Sequence, residues 1–229
     1  MTATNPFFDI SLLPYQAPHF DQINDSHYRP AFDEALRQKR ADIDAIVAQA
    51  AAPDFTNTVL ALEKSGAMLS RVSSVFFAMT SAHTNAYLQE LEEQFSTELA
   101  SLANDIWLND TLFARVESVW QDRAALDAES RRLVEETYQR FILAGARLNE
   151  TEKAELKALN TEAATLTSQF NQRLLAADKT GGLVVDYAHQ LDGLSASEIA
   201  DAAQAAAERG LNDRWLILLL NTTQQPALS

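Results

Sequence analysis

The histidines are the residues of this chain with the greatest potential for metal or acid–base chemistry. There are four of them, His19, His27, His83 and His189. A zinc site of the HExxH type needs two histidines four residues apart on one helix face, with a glutamate between them as general base. No pair has that spacing, and none of the four is followed by glutamate. We therefore predict no metal ligand, and we interpret His83, at a helix end, as a C-terminal cap or a solvated ring.

The paired acids, Glu92 with Glu93 and Glu135 with Glu136, are the next candidates for catalysis. Neighbouring residues in a helix point about 100 degrees apart, so neither pair can converge on one reacting atom. We interpret both pairs as parts of solvated helix faces rather than as catalytic dyads.

Nucleophiles and phosphate-binding loops are also missing from the pattern. Ser73 and Ser74 lie in a predicted helix without a histidine close in sequence to activate them. Gly181 and Gly182 lack the spacing of a phosphate loop and the Lys-Ser or Lys-Thr that follows it, so they predict a turn. The chain has no cysteine, which excludes disulfides, thiolate metal sites and a cysteine nucleophile. We predict no catalytic, cofactor-binding or metal-binding residue in this sequence.

Three tryptophans are candidates for a peptide-binding platform. Trp107, Trp120 and Trp215 each fall on an apolar face of a predicted element. Such residues more often belong to a core or a domain interface, and we favour that interpretation.

Charge and hydropathy argue against two classes of partner. The formal net charge is -14, which would repel a phosphate backbone, so we expect no nucleic-acid partner. We interpret the acidity as a contribution to solubility; attraction of cationic peptides is the alternative. The longest apolar run, Trp215 to Leu220, is too short to span a bilayer, and the first residues do not resemble a secretion signal. We therefore predict a cytoplasmic protein without a membrane partner.

Apolar residues that recur at threes and fours predict a mainly α fold. The composition agrees, because glycine and proline are scarce at six each. Asp110 is a candidate N-cap, and Gly66, within an apolar stripe, predicts a close approach by another helix. The predicted helices span about 30–50, 54–81, 85–106, 110–124, 128–144 and 149–179.

The last of these helices has the clearest pattern. Asn149 and Glu152 have nearly the spacing of a capping box. The apolar positions that follow place one apolar face along the helix; they are Leu156, Leu159, Ala163, Leu166, Phe170 and Leu174.

The two ends of the chain differ from its helical middle. Prolines near the start predict an extended arm over the helices. We expect its apolar residues to anchor it: Phe7, Phe8, Leu12, Leu13, Tyr15 and Phe20. Towards the other end, the sequence predicts a strand over 183–185, a helix capped by Ser195 and Glu198, and a strand over 215–220 buried on both faces. Strand, helix and strand at this length resemble a small crossover or a hairpin attached to the bundle.

These elements together predict a mainly α protein: a multi-helix bundle with an extended N-terminal arm and a short β element near the C-terminus. We predict the arm at 1–27, the bundle at 28–180 and the strand–helix–strand segment at 181–229. The last segment is expected to be incomplete without further chain, because a strand seldom ends a domain without a partner.

Several long segments of the sequence resemble one enzyme family. They are NPFF, LPYQAPHFDQI and HYRPAFDEAL near the start, then PDFTNTVLALEKSG and RVSSVFFAMTSAHTN, and finally LKALNTEAATLTSQFNQRLLAADKTGGLVV and LLNTTQQPAL. In this order they are similar to the amino-terminal part of the bacterial dipeptidyl carboxypeptidases (peptidyl-dipeptidases). These are zinc metallopeptidases related to thimet oligopeptidase.

The resemblance implies a helical protein with a deep channel, and a zinc enzyme that removes dipeptides from the carboxyl end of oligopeptides. In the family, an HExxH helix and a downstream glutamate hold the zinc, beyond the region matched here. No family site residue can therefore be carried over to this sequence. We expect this chain alone to bind no zinc and to be inactive. The alternative is a non-catalytic helical module that packs on a partner or on the absent catalytic part.

Overall fold

The computed structural model describes residues 5–219, without the side chains of residues 178 and 179. The described residues are mainly helical, with a two-stranded sheet near the C-terminus, so the predicted fold class is confirmed. They divide into two compact units, one that ends at Ser168 and one that starts at Gln169. The domain boundaries given above stay predictions. Among the helices within residues 5–219, none has the length and apolar character needed to cross a membrane.

The first unit is built from six helices and the first part of a seventh. Their bounds are α1 Tyr28–Val47, α2 Ala61–Lys64, α3 Ala67–Ala82, α4 Ala86–Trp107, α5 Asp110–Gln121, α6 Ala128–Leu143 and α7 Glu150–Thr180. A π-helical turn, Phe55–Leu60, leads into α2.

Short polar side chains cap the N-terminal ends of α5 and α7. At α7, Asn149 accepts a hydrogen bond from the Glu152 amide (3.0 Å) and the Glu152 carboxylate accepts one from the Asn149 amide (3.0 Å). This confirms the predicted capping box. The predicted N-cap of α5 is wrong by one residue, because Asn109 accepts the Leu112 amide (2.8 Å) while Asp110 is the first helical residue.

The predicted helix over 54–81 is wrong at Gly66, where α2 and α3 are separated by a break. Gly66 has a φ of 76°, a left-handed conformation that glycine adopts without steric cost. Its amide donates to Asp42 Oδ2 (3.2 Å), and Lys39 Nζ donates to the Ser65 carbonyl (3.2 Å), so α1 holds both sides of the break. The predicted close approach is confirmed, because a Cβ at Gly66 would lie 2.6 Å from Lys39 Cδ.

The core of the first unit lies where α1 packs against α3 and α4. Phe32 of α1 stacks on Phe95 of α4 with ring centroids 3.7 Å apart, and Phe76 of α3 meets Phe95 edge-on at 4.7 Å. All three side chains are fully buried. Burial of each contributes about 1.5–3 kcal/mol, so this cluster fixes the three helices against one another.

A buried arginine joins the segment after α1 to α5. Arg115 Nη1 donates to the carbonyl oxygens of Gln49 (2.9 Å) and Ala51 (3.4 Å). Its Nη2 donates to Asn57 Oδ1 (3.0 Å) and to the Thr58 hydroxyl oxygen (3.3 Å). These acceptors satisfy most of a charged group that would be costly to bury alone. The π-helical turn is thereby held against α5.

α7 meets the preceding helices through polar side chains. Lys153 is buried, and its ammonium group pairs with Asp110 at the start of α5. Further along, Asn160 Nδ2 donates to Asn104 Oδ1 on α4 (2.7 Å). The part of α7 that belongs to the first unit therefore packs with a polar side.

The second unit contains a small sheet and a helix. Strands β1 Gly182–Val185 and β2 Trp215–Leu218 pair in antiparallel orientation, and α8 Ala196–Glu208 packs on β2. Antiparallel pairing excludes a parallel crossover for these two strands. Leu216 is buried while its β2 neighbours are half-buried, so the predicted burial of both faces is incomplete. Residue 220 of the predicted strand lies outside the described residues.

Side chains define both ends of α8. Ser195 accepts the Glu198 amide (3.3 Å), and the Glu198 carboxylate accepts the Ser195 amide (2.7 Å), which confirms the predicted capping box. After the helix, Arg209 Nη1 donates to the carbonyl oxygens of Thr180 (3.2 Å) and Gly181 (3.1 Å). These two bonds hold the C-terminal end of α8 against the end of α7.

The segment before α1 only partly follows the prediction. Among the six expected apolar anchors, Phe7 is buried in the core. The other five are exposed to solvent: Phe8, Leu12, Leu13, Tyr15 and Phe20.

Candidate functional site

Three of the four histidines have local structural roles or lie exposed, and His19 is half-buried in the segment before α1. His83 is the C-terminal cap of α3, where its amide donates to the Met79 carbonyl (2.7 Å), which confirms the helix-end interpretation. His27 Nδ1 accepts the Asn24 amide (3.2 Å) just before α1. His189 is exposed beside Tyr187, with ring centroids 5.7 Å apart. None of these contacts orients a histidine as a general base.

A zinc ion is the cofactor that the family resemblance implies. Within residues 5–219, no three His, Asp or Glu side chains lie close enough together to hold a metal ion. Zinc in proteins is held by three or four such ligands, so the described residues do not fit it. No catalytic step can be built through zinc on this part of the chain.

The acidic pairs have separate environments. Glu135 accepts from Arg123 Nε (3.4 Å), and Glu136 pairs with Arg132 one turn away on α6. Glu92 is half-buried, which differs from the predicted solvated face; burial raises the pKa of its carboxyl, and a hydrogen bond with Thr80 opposes this shift. The raised pKa marks a partly desolvated carboxyl on α4, whose hydrogen-bond partner is the Thr80 hydroxyl.

The tryptophans of the first unit pack against the core, as we favoured. Trp120 lies over a small cluster around Val59 and stacks on Tyr138, with centroids 4.4 Å apart and planes 14° from parallel. The Arg123 guanidinium carbon lies 4.0 Å from the Trp120 ring centroid. Because these neighbours already contact the ring, Trp120 is a packing residue rather than an open platform.

A groove of about 430 Å³ opens beside Trp107. The Arg140 guanidinium carbon lies 4.1 Å over the Trp107 ring, and Glu63 and Glu136 contribute carboxylates to the lining. Leu143, an exposed residue at the end of α6, also lines this groove. An aromatic ring with charged neighbours suits binding of a polypeptide segment, while the lining offers no activated nucleophile.

α7 keeps an apolar face open to solvent. Leu159 and Leu166 are more than half exposed, whereas the polar side of the helix packs inward, with the Thr165 hydroxyl 3.5 Å from that of Thr97. The later members of the stripe, Phe170 and Leu174, are exposed as well. Periodicity identified this face correctly, but nothing in the pattern showed that it would point to solvent.

Comparison with known proteins finds relatives that match nearly the whole chain. No family model matches it. Over 229 residues the chain is 68% identical to the dipeptidyl carboxypeptidase of Salmonella typhimurium, a match that covers 99% of this chain and 34% of that protein. The dipeptidyl carboxypeptidase of Escherichia coli is 67% identical over 231 residues, with 100% of this chain and 34% of that protein covered.

The chain is a relative of the dipeptidyl carboxypeptidases. The resemblance seen in the sequence segments is thereby confirmed, and the chain spans about a third of the length of these relatives. A more distant relation extends to oligopeptidase A of Escherichia coli, which is 27% identical over 221 residues, or 94% of this chain and 31% of that protein.

Proposed function

We propose that this chain forms the amino-terminal helical region of a zinc peptidyl-dipeptidase, an enzyme that removes dipeptides from the carboxyl end of oligopeptides in the cytoplasm. The observation that carries the proposal is the 68% identity to a dipeptidyl carboxypeptidase across 99% of this chain. Agreement of this extent supports the same structural role for the whole chain. Its helices supply structure and binding surface, and the chemistry belongs to another part of the enzyme.

The catalytic zinc of the proposed enzyme is held outside this chain. Support comes from the sequence, which has no HExxH motif, and from residues 5–219, in which no three potential ligands lie together. The relatives provide the missing length, because the match covers 34% of the Salmonella protein. The chain by itself is therefore inactive in this proposal.

Activity of the isolated chain tests the second part of the proposal. The pure chain is incubated with an N-terminally blocked tripeptide, with and without added zinc, and dipeptide release is followed by chromatography. The expected result is no release above the buffer rate. Zinc-dependent release that is removed by a chelator and restored by zinc would contradict it.

A hybrid enzyme tests the first part. This chain replaces the matching third of the Salmonella dipeptidyl carboxypeptidase, and dipeptide release is measured for the hybrid and for the unaltered enzyme. We expect zinc-dependent activity within about tenfold of the parent, since 68% identity preserves most packing contacts. A hybrid that folds and binds zinc but releases no dipeptide would refute the proposal.

A second candidate is a non-catalytic helical module that binds a partner protein. The outward apolar face of α7 favours it, because each such side chain forgoes about 1.5–3 kcal/mol of burial in the described chain. The hybrid separates the two candidates. Activity requires that the chain pack correctly on the catalytic part, whereas a module with an unrelated partner would not support dipeptide release.

A further inference from the structure

Residues 8–22 form a long loop with a closed base. Asn5 Nδ2 donates to the His27 carbonyl (2.8 Å), so the chain leaves and returns at one place. Phe7 is buried on one side of this base, and Ile23 packs against the same core on the other. Arg71 Nη2 donates to the Phe7 carbonyl (3.0 Å). Both ends of the loop are thus anchored to the core of the first unit.

Between these ends the loop presents apolar side chains to solvent. Leu12 is 96% exposed and Tyr15 is fully exposed at 103%, and Ile10 and Phe20 are each more than half exposed. Apart from a short turn over Pro14–Gln16, the loop has no regular structure. Loops of this length in compact domains are usually functional, and soluble proteins seldom expose so many large apolar side chains together.

The tip of the loop has a strained backbone. Tyr15 and Gln16 have φ values of 59° and 56°, in the left-handed region that residues other than glycine rarely adopt. Such a conformation costs on the order of 1–3 kcal/mol per residue. The Tyr15 side chain is fully exposed, so packing against the described residues does not offset this cost. A contact with another surface would.

We propose that this loop docks onto the part of a dipeptidyl carboxypeptidase chain that lies outside the third matched here. The inference rests on the proposed function. The match to the Salmonella enzyme covers 99% of this chain, so the loop has a counterpart there, and about two thirds of that enzyme remain as the possible occupant. Leu12 and Tyr15 then enter an apolar surface in that part.

The charges and the groove around the loop indicate what kind of surface it would dock onto. Asp9 and Asp21, near the two ends of the loop, are both exposed and would face lysine or arginine side chains around the apolar surface. At the start of the loop, Phe8 lines a groove of about 480 Å³ together with Pro30 and Met68. This groove extends the docking surface from the loop onto α1 and α3.

Thiol labelling tests the proposal, and the chain suits it because it contains no cysteine. Leu12→Cys is introduced into the isolated chain and into the hybrid enzyme, and mass spectrometry of the peptide that contains residue 12 follows its reaction with a maleimide. Labelling in the hybrid is expected to be slowed at least about tenfold, because reaction then requires opening of the docked surface. Tyr87→Cys, which replaces a large side chain that is 45% exposed on α4 and lies outside the loop and both grooves, is the matched control and is expected to change less than about twofold.

Equal labelling rates for Leu12→Cys in the two proteins would overturn the docking proposal. The proposed function would survive that result if the hybrid released dipeptides, so the two failures are distinguishable. Should the hybrid not fold, the same substitution at the aligned position of the unaltered Salmonella enzyme gives the deciding rate. There too, a thiol labelled as fast as Leu12→Cys in the isolated chain would overturn the proposal.

Discussion

α4 and α7 are the two longest helices within residues 5–219, and the same sequence pattern has opposite outcomes in them. Both carry apolar residues at threes and fours. In α4 these residues enter the core, and Leu102 is only 4% exposed. In α7 the stripe points to solvent, and Leu166 is 56% exposed. Periodicity therefore predicts a helix with one apolar face, and the partner that covers that face must be found elsewhere.

The difference arises from polar contacts that periodicity cannot reveal. α7 is fixed to the first unit by the buried Lys153 and by the hydrogen bond from Asn160 to Asn104. Two specific polar contacts fix the side on which the helix packs, because an unpaired polar group on that side would be costly to bury. The apolar stripe is thereby left for a different partner.

The largest effect is expected from shortening the same residue type on the two helices. Leu102→Ala on α4 should lower the free energy of unfolding by about 2–5 kcal/mol, because it opens a cavity in the core. Leu166→Ala on α7 is the matched control and should stay within about 0.5 kcal/mol of wild type. Urea unfolding followed by circular dichroism measures both. Equal decreases in the free energy of unfolding for the two variants would show that the apolar faces of α4 and α7 are equally buried.

A smaller effect is expected from the anchor of α7. Asp110→Asn should lower the free energy of unfolding by about 1–3 kcal/mol, because it leaves the ammonium group of Lys153, which is 5% exposed, with only Glu150 at 3.7 Å as a charged partner. Glu136→Gln, which breaks the exposed pair with Arg132, should cost less than about 0.5 kcal/mol.

The same urea titrations compare these two amide variants. If both lose equally little, the buried ammonium group is not what holds α7, and the contrast with the apolar contacts of α4 would need another explanation.

The smallest effect concerns the one acid of α4 whose pKa burial raises. Burial raises the pKa of Glu92 in the folded protein, so the stability that its protonated form provides is complete below the ordinary glutamate pKa of about 4.3 and is lost as pH rises through the raised folded-state pKa. Glu92→Gln should therefore raise Tm at pH 7 and leave it nearly unchanged at pH 4. Thermal scans at the two pH values measure this, and an equal gain at both would show that burial of the charge is not the cause.

Much of the helical framework is predictable because it depends on local sequence patterns. Residue spacing alone predicts the capping boxes at Asn149 and Ser195, and both are confirmed. Gly66 marks where local reading fails, since the break in the helix depends on Asp42 and Lys39 of α1. Asp42 and Lys39 are more than twenty residues before the groups that they contact, so no local pattern reveals these hydrogen bonds.

The candidate surfaces were harder to predict than the helices. The apolar residues of the N-terminal loop suggested anchors on the bundle, yet Leu12 and Tyr15 face solvent. A sequence shows that a side chain prefers to leave water and does not show which surface will receive it. The expectation that this chain has no zinc site rested on a different kind of observation, the spacing of four histidines.

The buried Arg115 has a consequence for how this sequence can drift over evolutionary time. Two of its acceptors, at Gln49 and Ala51, are main-chain carbonyls, which any residue type supplies. The other two, at Asn57 and Thr58, are side chains. Residues 49 and 51 can therefore change type while keeping these bonds, whereas a change at Arg115 or Asn57 would remove one or more of them.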